Sequence, residues 1–412
     1  MEHYIFYCKL SLLAVLSLIT ACCMLSRRWY VNLAAFLACL SGETFLAHLF
    51  FPGYMLCPAA ASFIILFLSR IWDLSRTPAK GNGADPIRLP VRSGIRESRL
   101  EFHYHYSNFL VYGGAGSGKT KSIGKWLLSE YMRLGFAGFI YDFKDTDYTR
   151  TAYNLIKRHR YPHKFYYVSF DRPERSYRFN PLKVVRDRTE LIQLMEDVLL
   201  ALLPKKEQQN EWVAGGLGIL RGVAFRFWDE FPEHCTLPHI LAFIMTASAR
   251  QLSLFLQQNL VSEMLAGAYL KAEGSEKTQA SYLSTLCNNL ATISQNEEIA
   301  YVLSGDDFDF NLIDPENPKL FAVSNNFSKN SVYAPVISML MTISARQFSM
   351  QNRVPFVYFL DEMTTVNIKN FETLPSVLRE YKAAFILLTQ SGAKLENPVS
   401  YTHLTLPTNP RV

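Results

Sequence analysis

The most specific chemical pattern in the chain is GGAGSGKT at residues 113–120. It follows a short apolar run, NFLVY (108–112), and precedes a helical stretch, SIGKWLLSEYMRLG (122–135). A strand, a glycine-rich turn and a helix in that order form the context a phosphate-binding P-loop requires. Gly113, Gly114, Ala115, Gly116, Ser117 and Gly118 present backbone N–H groups, and the helix N-terminus adds its positive dipole end. Lys119 is placed to reach the β- and γ-phosphates and Thr120 to ligate Mg²⁺. An ordinary strand-to-helix turn explains the glycines but not the Lys-Thr pair.

P-loop hydrolysis needs acids on a second strand. VPFVYFLDE (354–362) has the apolar run of a central parallel strand and ends in Asp361 and Glu362. Asp361 is the candidate Mg²⁺ ligand, directly or through water, and Glu362 the group that polarises attacking water. Three further runs read as strands of the same sheet: FAGFIYDFKD (136–145), KLFAVSN (319–325) and AAFILLTQS (383–391). They end in Asp142 and Lys144, Asn325, and Gln390, at the edge where parallel α/β sheets bind ligands. Gln390 is a candidate γ-phosphate sensor; a plain loop amide is the alternative. RLEFHYHYS (99–107) alternates like a half-buried strand, which puts His103 and His105 on one exposed face, with a metal pair as the rival reading.

The elements around these residues make an α/β fold. Between FNPL (179–182) and the strand at 319 no parallel strand is evident, and 188–203, 211–230, 237–258, 260–273 and 277–294 have helical spacing. The expected organisation is a nucleotide-binding domain in two parts, 106–183 and 301–397, interrupted by an all-α domain at 184–300. A linker with a leading strand occupies 76–105.

Composition bounds the rest. The chain has 412 residues, 49% hydrophobic and 19% charged, with net charge +6. That apolar content excludes a disordered chain, and the mild basicity is compatible with an acidic partner. The seven cysteines form no CxxC pair, which argues against a disulfide scaffold or a structural zinc site. Only six charges, Glu2, Lys9, Arg27, Arg28, Glu43 and Arg70, fall in residues 1–70. Residues 1–75 therefore read as a membrane anchor of two or three helices, each near the ~20 residues that cross a bilayer. Arg27-Arg28 and the basic flank after residue 70 belong on the cytoplasmic side, which three spans satisfy with the N-terminus outside. A lipoprotein-like box, Ile19-Thr20-Ala21-Cys22, is a weaker competing pattern.

Together, the P-loop, Asp142-Phe143-Lys144, FNPL, FLDE (359–362), LPSVLREY (374–381) and LLTQS (387–391) resemble the TraG/TraD-type coupling ATPases of conjugative type IV secretion, over about 106–392. The resemblance implies a RecA-like P-loop NTPase with a parallel-rich sheet, an inserted all-α domain and an N-terminal transmembrane segment. It implies ATP and Mg²⁺ as cofactors and a homo-hexamer at the bacterial inner membrane with its ATPase domain in the cytoplasm. The implied partners are DNA bound without regard to sequence, a relaxase and the secretion channel. It also implies a trans-acting role for Arg379, reaching the nucleotide of a neighbouring subunit; a solvated helix arginine is the alternative. The rival functions are a protein-effector or FtsK/HerA-like translocase, and a docking receptor that binds nucleotide with little turnover. Residues 398–412 are polar and Pro/Thr-rich, outside the family pattern. A shortened reading frame is the expectation, with a motor lacking one side of its sheet.

Overall fold

The computed structural model describes residues 85–390 except 94–95, 115, 144–145, 204–207, 209, 367 and 369–370, and positions 5–7, 9, 45 and 49. The anchor expected at 1–75 and the tail at 398–412 thus lie essentially outside the described residues, as do Ala115 and Lys144. Among the described residues no helix is long and apolar enough to cross a membrane. The chain divides into two units, Met1–Ala84 and Asp85–Val412, and every described strand belongs to the second.

A hairpin opens this second unit. β1 (Ile87–Ser93) pairs antiparallel with β2 (Arg96–Phe102). This corrects the reading of 76–105 as a linker with one leading strand, where Pro90 disguised a second strand. It also corrects the strand at 99–107: β2 ends at Phe102, so His103 and His105 follow it, with His105 in a turn. His105 Nε2 lies 2.7 Å from the Asp85 carbonyl, and the described residues contain no metal-holding cluster.

Six parallel strands form the main sheet in the order β3-β8-β7-β4-β6-β5. They are β3 (Phe109–Tyr112), β4 (Ala137–Asp142), β5 (Lys164–Ser169), β6 (Lys319–Ser324), β7 (Phe356–Leu360) and β8 (Ala383–Thr389). The four central strands are buried at every position, as the unbroken apolar runs predict for a sheet covered on both faces. β5 is the strand the sequence reading missed; at the sheet edge, its first four residues are exposed or half-buried.

One face of the sheet carries Ile140, Leu320, Phe359 and Ile386, covered by α1 (Lys125–Arg133) and α2 (Asp147–His159). The other carries Phe139, Phe321, Tyr358 and Phe385 and shares one continuous core with the helices inserted between β5 and β6. These are α3 (Arg188–Leu202), α4 (Glu211–Glu230), α5 (Leu237–Thr246), α6 (Ala249–Gln257), α7 (Leu260–Leu265), α8 (Gly267–Lys271), α9 (Glu276–Ser294) and α10 (Glu297–Leu303). The expected helix 237–258 breaks at Ser248, whose capping box with Gln251 starts α6, and 260–273 divides at Ala266. The helical run reaches Leu303, past the expected boundary at 300. α4 is the hub, packed by α3, α7 and α9. Its glycines permit this: a Cβ at Gly222 would stand 2.7 Å from Leu256 Cδ2 and 2.9 Å from the Ser262 carbonyl. After the insert come α11 (Asn330–Arg346), which packs on α3, and α12 (Leu374–Glu380), which packs on β8.

Candidate nucleotide site

Strand order decides which side chains meet. The P-loop strand β3 and the acid-bearing strand β7 are not neighbours; β8 runs between them. All three are parallel, so Gly113, Asp361-Glu362 and Thr389-Gln390 emerge at one edge of the sheet.

The loop after β3 turns sharply. Gly116 (φ 74°) and Gly118 (φ 81°) occupy left-handed backbone that a Cβ penalises. The Ser117 N–H donates to the Gly114 carbonyl at 3.3 Å, and the Gly113 N–H to the Thr389 carbonyl at 3.3 Å. Lys119 folds back over its own loop, its Nζ donating to the carbonyls of Gly113 and Gly114 (3.1 Å to the latter). The first turn after it, Thr120–Gly124, is π-helical and leads directly into α1. Such wide turns are rare and concentrate at functional sites.

Beneath this turn lies Tyr148 of α2, fully buried against Phe359 at a ring separation of 4.6 Å. Its hydroxyl reaches toward Thr120 without completing a well-formed hydrogen bond. Burial pushes its pKa up, the nearby Thr120 hydroxyl pulls it down, and the carboxylates of Asp361 and Asp142 push it up again. Thr120 follows the loop after β3 and Asp361 follows β7, so both lie at the same edge of the sheet, and a hydroxyl and a carboxylate are oxygen donors of the kind that suit Mg²⁺.

Glu362 has a constrained setting. It is 8% exposed with φ 48°, an uncommon conformation for a residue other than glycine. Its Oε1 accepts the Gln390 N–H at 3.1 Å and lies 3.4 Å from Thr389 Oγ1 and 3.5 Å from Thr364 Oγ1. Its carbonyl ends a directed chain. Asn325 Nδ2 donates to Tyr141 Oη (2.9 Å), Tyr141 pairs with Thr365 Oγ1 (2.7 Å), and Thr365 donates to the Glu362 carbonyl (2.7 Å). Burial, opposed by the hydrogen bonds with Thr365 and Asn325, pushes the Tyr141 pKa up to about 12, so the phenol keeps its proton.

The structure therefore assembles the P-loop, Asp361, Glu362 and Gln390, the last through its backbone amide. Asp142 turns inward instead: its Oδ2 accepts the N–H and hydroxyl of Thr149 at 2.8 and 2.9 Å, tying β4 to the first turn of α2. Asn325 contributes to the tyrosine chain. Arg379 is elsewhere. It lies in the last turn of α12, before the N-terminal end of β8, and the length of that strand, ~20 Å, separates it from Thr389. It makes no ion pair among the described residues. Sequence reasoning missed Tyr141, Tyr148, Thr365 and Thr389. Only Thr389 had a visible signal, its place beside Gln390 at a strand end.

Comparisons with known proteins agree with this architecture. The family described as the type IV secretion-system coupling protein DNA-binding domain matches residues 100–403. Among solved structures, the plasmid coupling protein TrwB in complex with a non-hydrolysable ATP analogue superposes with a TM-score of 0.57 at 16% identity, covering 77% of each chain. TrwB in complex with ADP and Mg²⁺ gives 0.56 at 16% identity, covering 77% of this chain and 75% of that one. The trigonal sulphate complex of TrwB gives 0.56 at 16% identity, covering 73% and 67%. No curated protein sequence matches the chain. At such identity the structures speak to fold alone, whereas the family match covers most of the chain. The chain belongs to the family of type IV secretion-system coupling protein DNA-binding domains.

Proposed function

We propose that this protein is a membrane-anchored ATPase that couples ATP hydrolysis to the passage of DNA into a type IV secretion channel during conjugation. The observation that carries the reading is the meeting of P-loop, Asp361-Glu362 and Thr389-Gln390 at one sheet edge. In this account the P-loop amides from Gly113 to Thr120 hold the phosphates. Lys119 exchanges the Gly113 and Gly114 carbonyls for the β- and γ-phosphates. Thr120 and Asp361 would hold Mg²⁺, which would supply positive charge against the phosphates. Glu362 accepts a proton from the water that attacks the γ-phosphorus, the bond from that phosphorus to the β,γ-bridging oxygen breaks to release ADP and phosphate, and Gln390 reports whether the γ-phosphate is present. Arg379 stands too far from its own P-loop to act there, so its charge serves a neighbouring subunit in a homo-hexamer.

The family's name supports DNA as the cargo, and the match supports a type IV secretion role. The greasy residues 1–75 support anchoring in the inner membrane with the ATPase domain in the cytoplasm. The DNA strand carries a covalently attached relaxase and is gripped through its phosphates, without base readout. The test is ATP turnover with and without single-stranded DNA of several unrelated sequences. The account expects stimulation by all of them to similar extents, weakening as salt rises. Turnover indifferent to every DNA would overturn it in favour of a protein-only translocase or a docking receptor.

A further inference from the structure

Thr389 has no assigned role, yet it touches both halves of the site. Its carbonyl accepts the Gly113 N–H of the P-loop. Its hydroxyl lies 3.4 Å from Glu362 Oε1, and the amide of the next residue donates to the same oxygen at 3.1 Å. The side chain is fully buried, at 0% exposure. Glu362 meanwhile holds a left-handed backbone conformation (φ 48°) that persists only where the surroundings over-determine it. The donors at the end of β8 and the Thr365 hydroxyl on its carbonyl supply that determination.

We propose that Thr389 is a positioning residue for hydrolysis: it fixes the Glu362 carboxylate relative to the P-loop through the end of β8. The inference rests on the ATPase reading above and deepens it. A carboxylate that activates water must hold its angle toward the γ-phosphate, and small misplacements cost rate steeply. The Thr389 carbonyl registers where the P-loop lies, while its hydroxyl and the adjacent amide register where Glu362 lies. One residue therefore transmits loop position to the water-activating group, and a side-chain change there leaves the phosphate cradle untouched.

The experiment measures kcat and KM for ATP in the full chain held in detergent, for wild type, Thr389→Val, Thr389→Ser and Lys119→Ala. Valine keeps the volume and loses the hydroxyl; serine keeps the hydroxyl. The inference predicts that Thr389→Val lowers kcat on the order of 10- to 100-fold with KM nearly unchanged. Thr389→Ser should return most of the loss, and both variants should melt within a few degrees of wild type. Wild-type kcat in Thr389→Val, equal impairment in Thr389→Ser, or a loss that appears in KM would overturn the assignment while leaving the ATPase reading standing. Wild-type turnover no greater than that of Lys119→Ala would overturn both.

Discussion

The C-terminal edge of the sheet and the helical insert obey different rules. In the insert, local chemistry and global packing agree. Asp187, Asn210, Thr236, Ser248, Asn259 and Asn296 each cap the next helix through a side-chain oxygen, and the apolar faces fill one core. At the sheet edge they conflict. Glu362 and Thr146 take left-handed backbone without being glycine, and Asp142, Asp361 and Glu362 are carboxylates taken almost wholly out of water. Burying charge costs free energy unless it is paired or hydrogen-bonded, and here hydrogen bonds hold Asp142 to Thr149 and Glu362 to the end of β8. The difference teaches where selection acted on something other than stability, since real proteins break local rules at functional sites and compensate elsewhere.

The largest effect that sharpens the contrast is chemical. Glu362→Gln keeps the side-chain shape and removes the base. Turnover should fall ~10³-fold or more while ATP binding and melting temperature hold, measured by steady-state hydrolysis, nucleotide titration and calorimetry. Turnover near wild type would mean that the strained acid is structural. A comparable loss should follow Arg379→Ala, felt at the nucleotide site of the neighbouring subunit. Mixed with Lys119→Ala subunits, Arg379→Ala subunits should recover activity, because the Lys119→Ala neighbour lends its arginine. A trans arginine commonly contributes ~10³-fold, so partial rescue is measurable. A mixture that assembles but stays as inactive as either parent returns Arg379 to the role of a helix-surface residue.

In the insert, the same kind of truncation should show in stability rather than rate. Leu220 of α4 is fully buried in the shared core. Leu220→Ala should cost about 2–5 kcal/mol in denaturant unfolding, with little change in KM for ATP at temperatures where the variant stays folded.

How far the sequence anticipated this molecule divides along the same line. β4, β6, β7 and β8 were legible because strands buried on both faces are continuous apolar runs. β1 was hidden by Pro90, and β5 by the polar and half-exposed residues of an edge strand. The break at Ser248 had a readable signal in Ser248 and Gln251 that the long apolar pattern of 237–258 outweighed. P-loop residues and the Asp361-Glu362 pair were legible because their chemistry is local in sequence. The roles of Thr389, Tyr141 and Tyr148 were not, because each depends on which strands adjoin. Only the insertion of β8 between β3 and β7 brings Thr389 to Gly113 and Glu362.

The smallest expected effect tests the caps. Asn259 caps α7 through its Oδ1, at 3.0 Å from the Val261 N–H, and its Nδ2 donates to Glu230 at 2.8 Å. Asn259→Ala should cost ~1 kcal/mol at neutral pH. The Asn259 amide, then Arg226, holds the Glu230 pKa below the ordinary value. A depressed carboxylate contributes stability above its unfolded pKa, ~4.3, and loses it as pH falls through the folded value. The cost of Asn259→Ala should therefore shrink in unfolding curves taken at acid pH; a pH-independent difference would leave only the backbone cap.

The central claim is that this sheet edge hydrolyses ATP. Its most direct test compares ATP turnover of the assembled protein with that of Lys119→Ala, in Mg²⁺ and with single-stranded DNA present. Among the described residues Lys119 bonds only carbonyls of its own loop, so its loss should leave the fold intact and abolish turnover. Equal turnover in the two proteins would contradict the account.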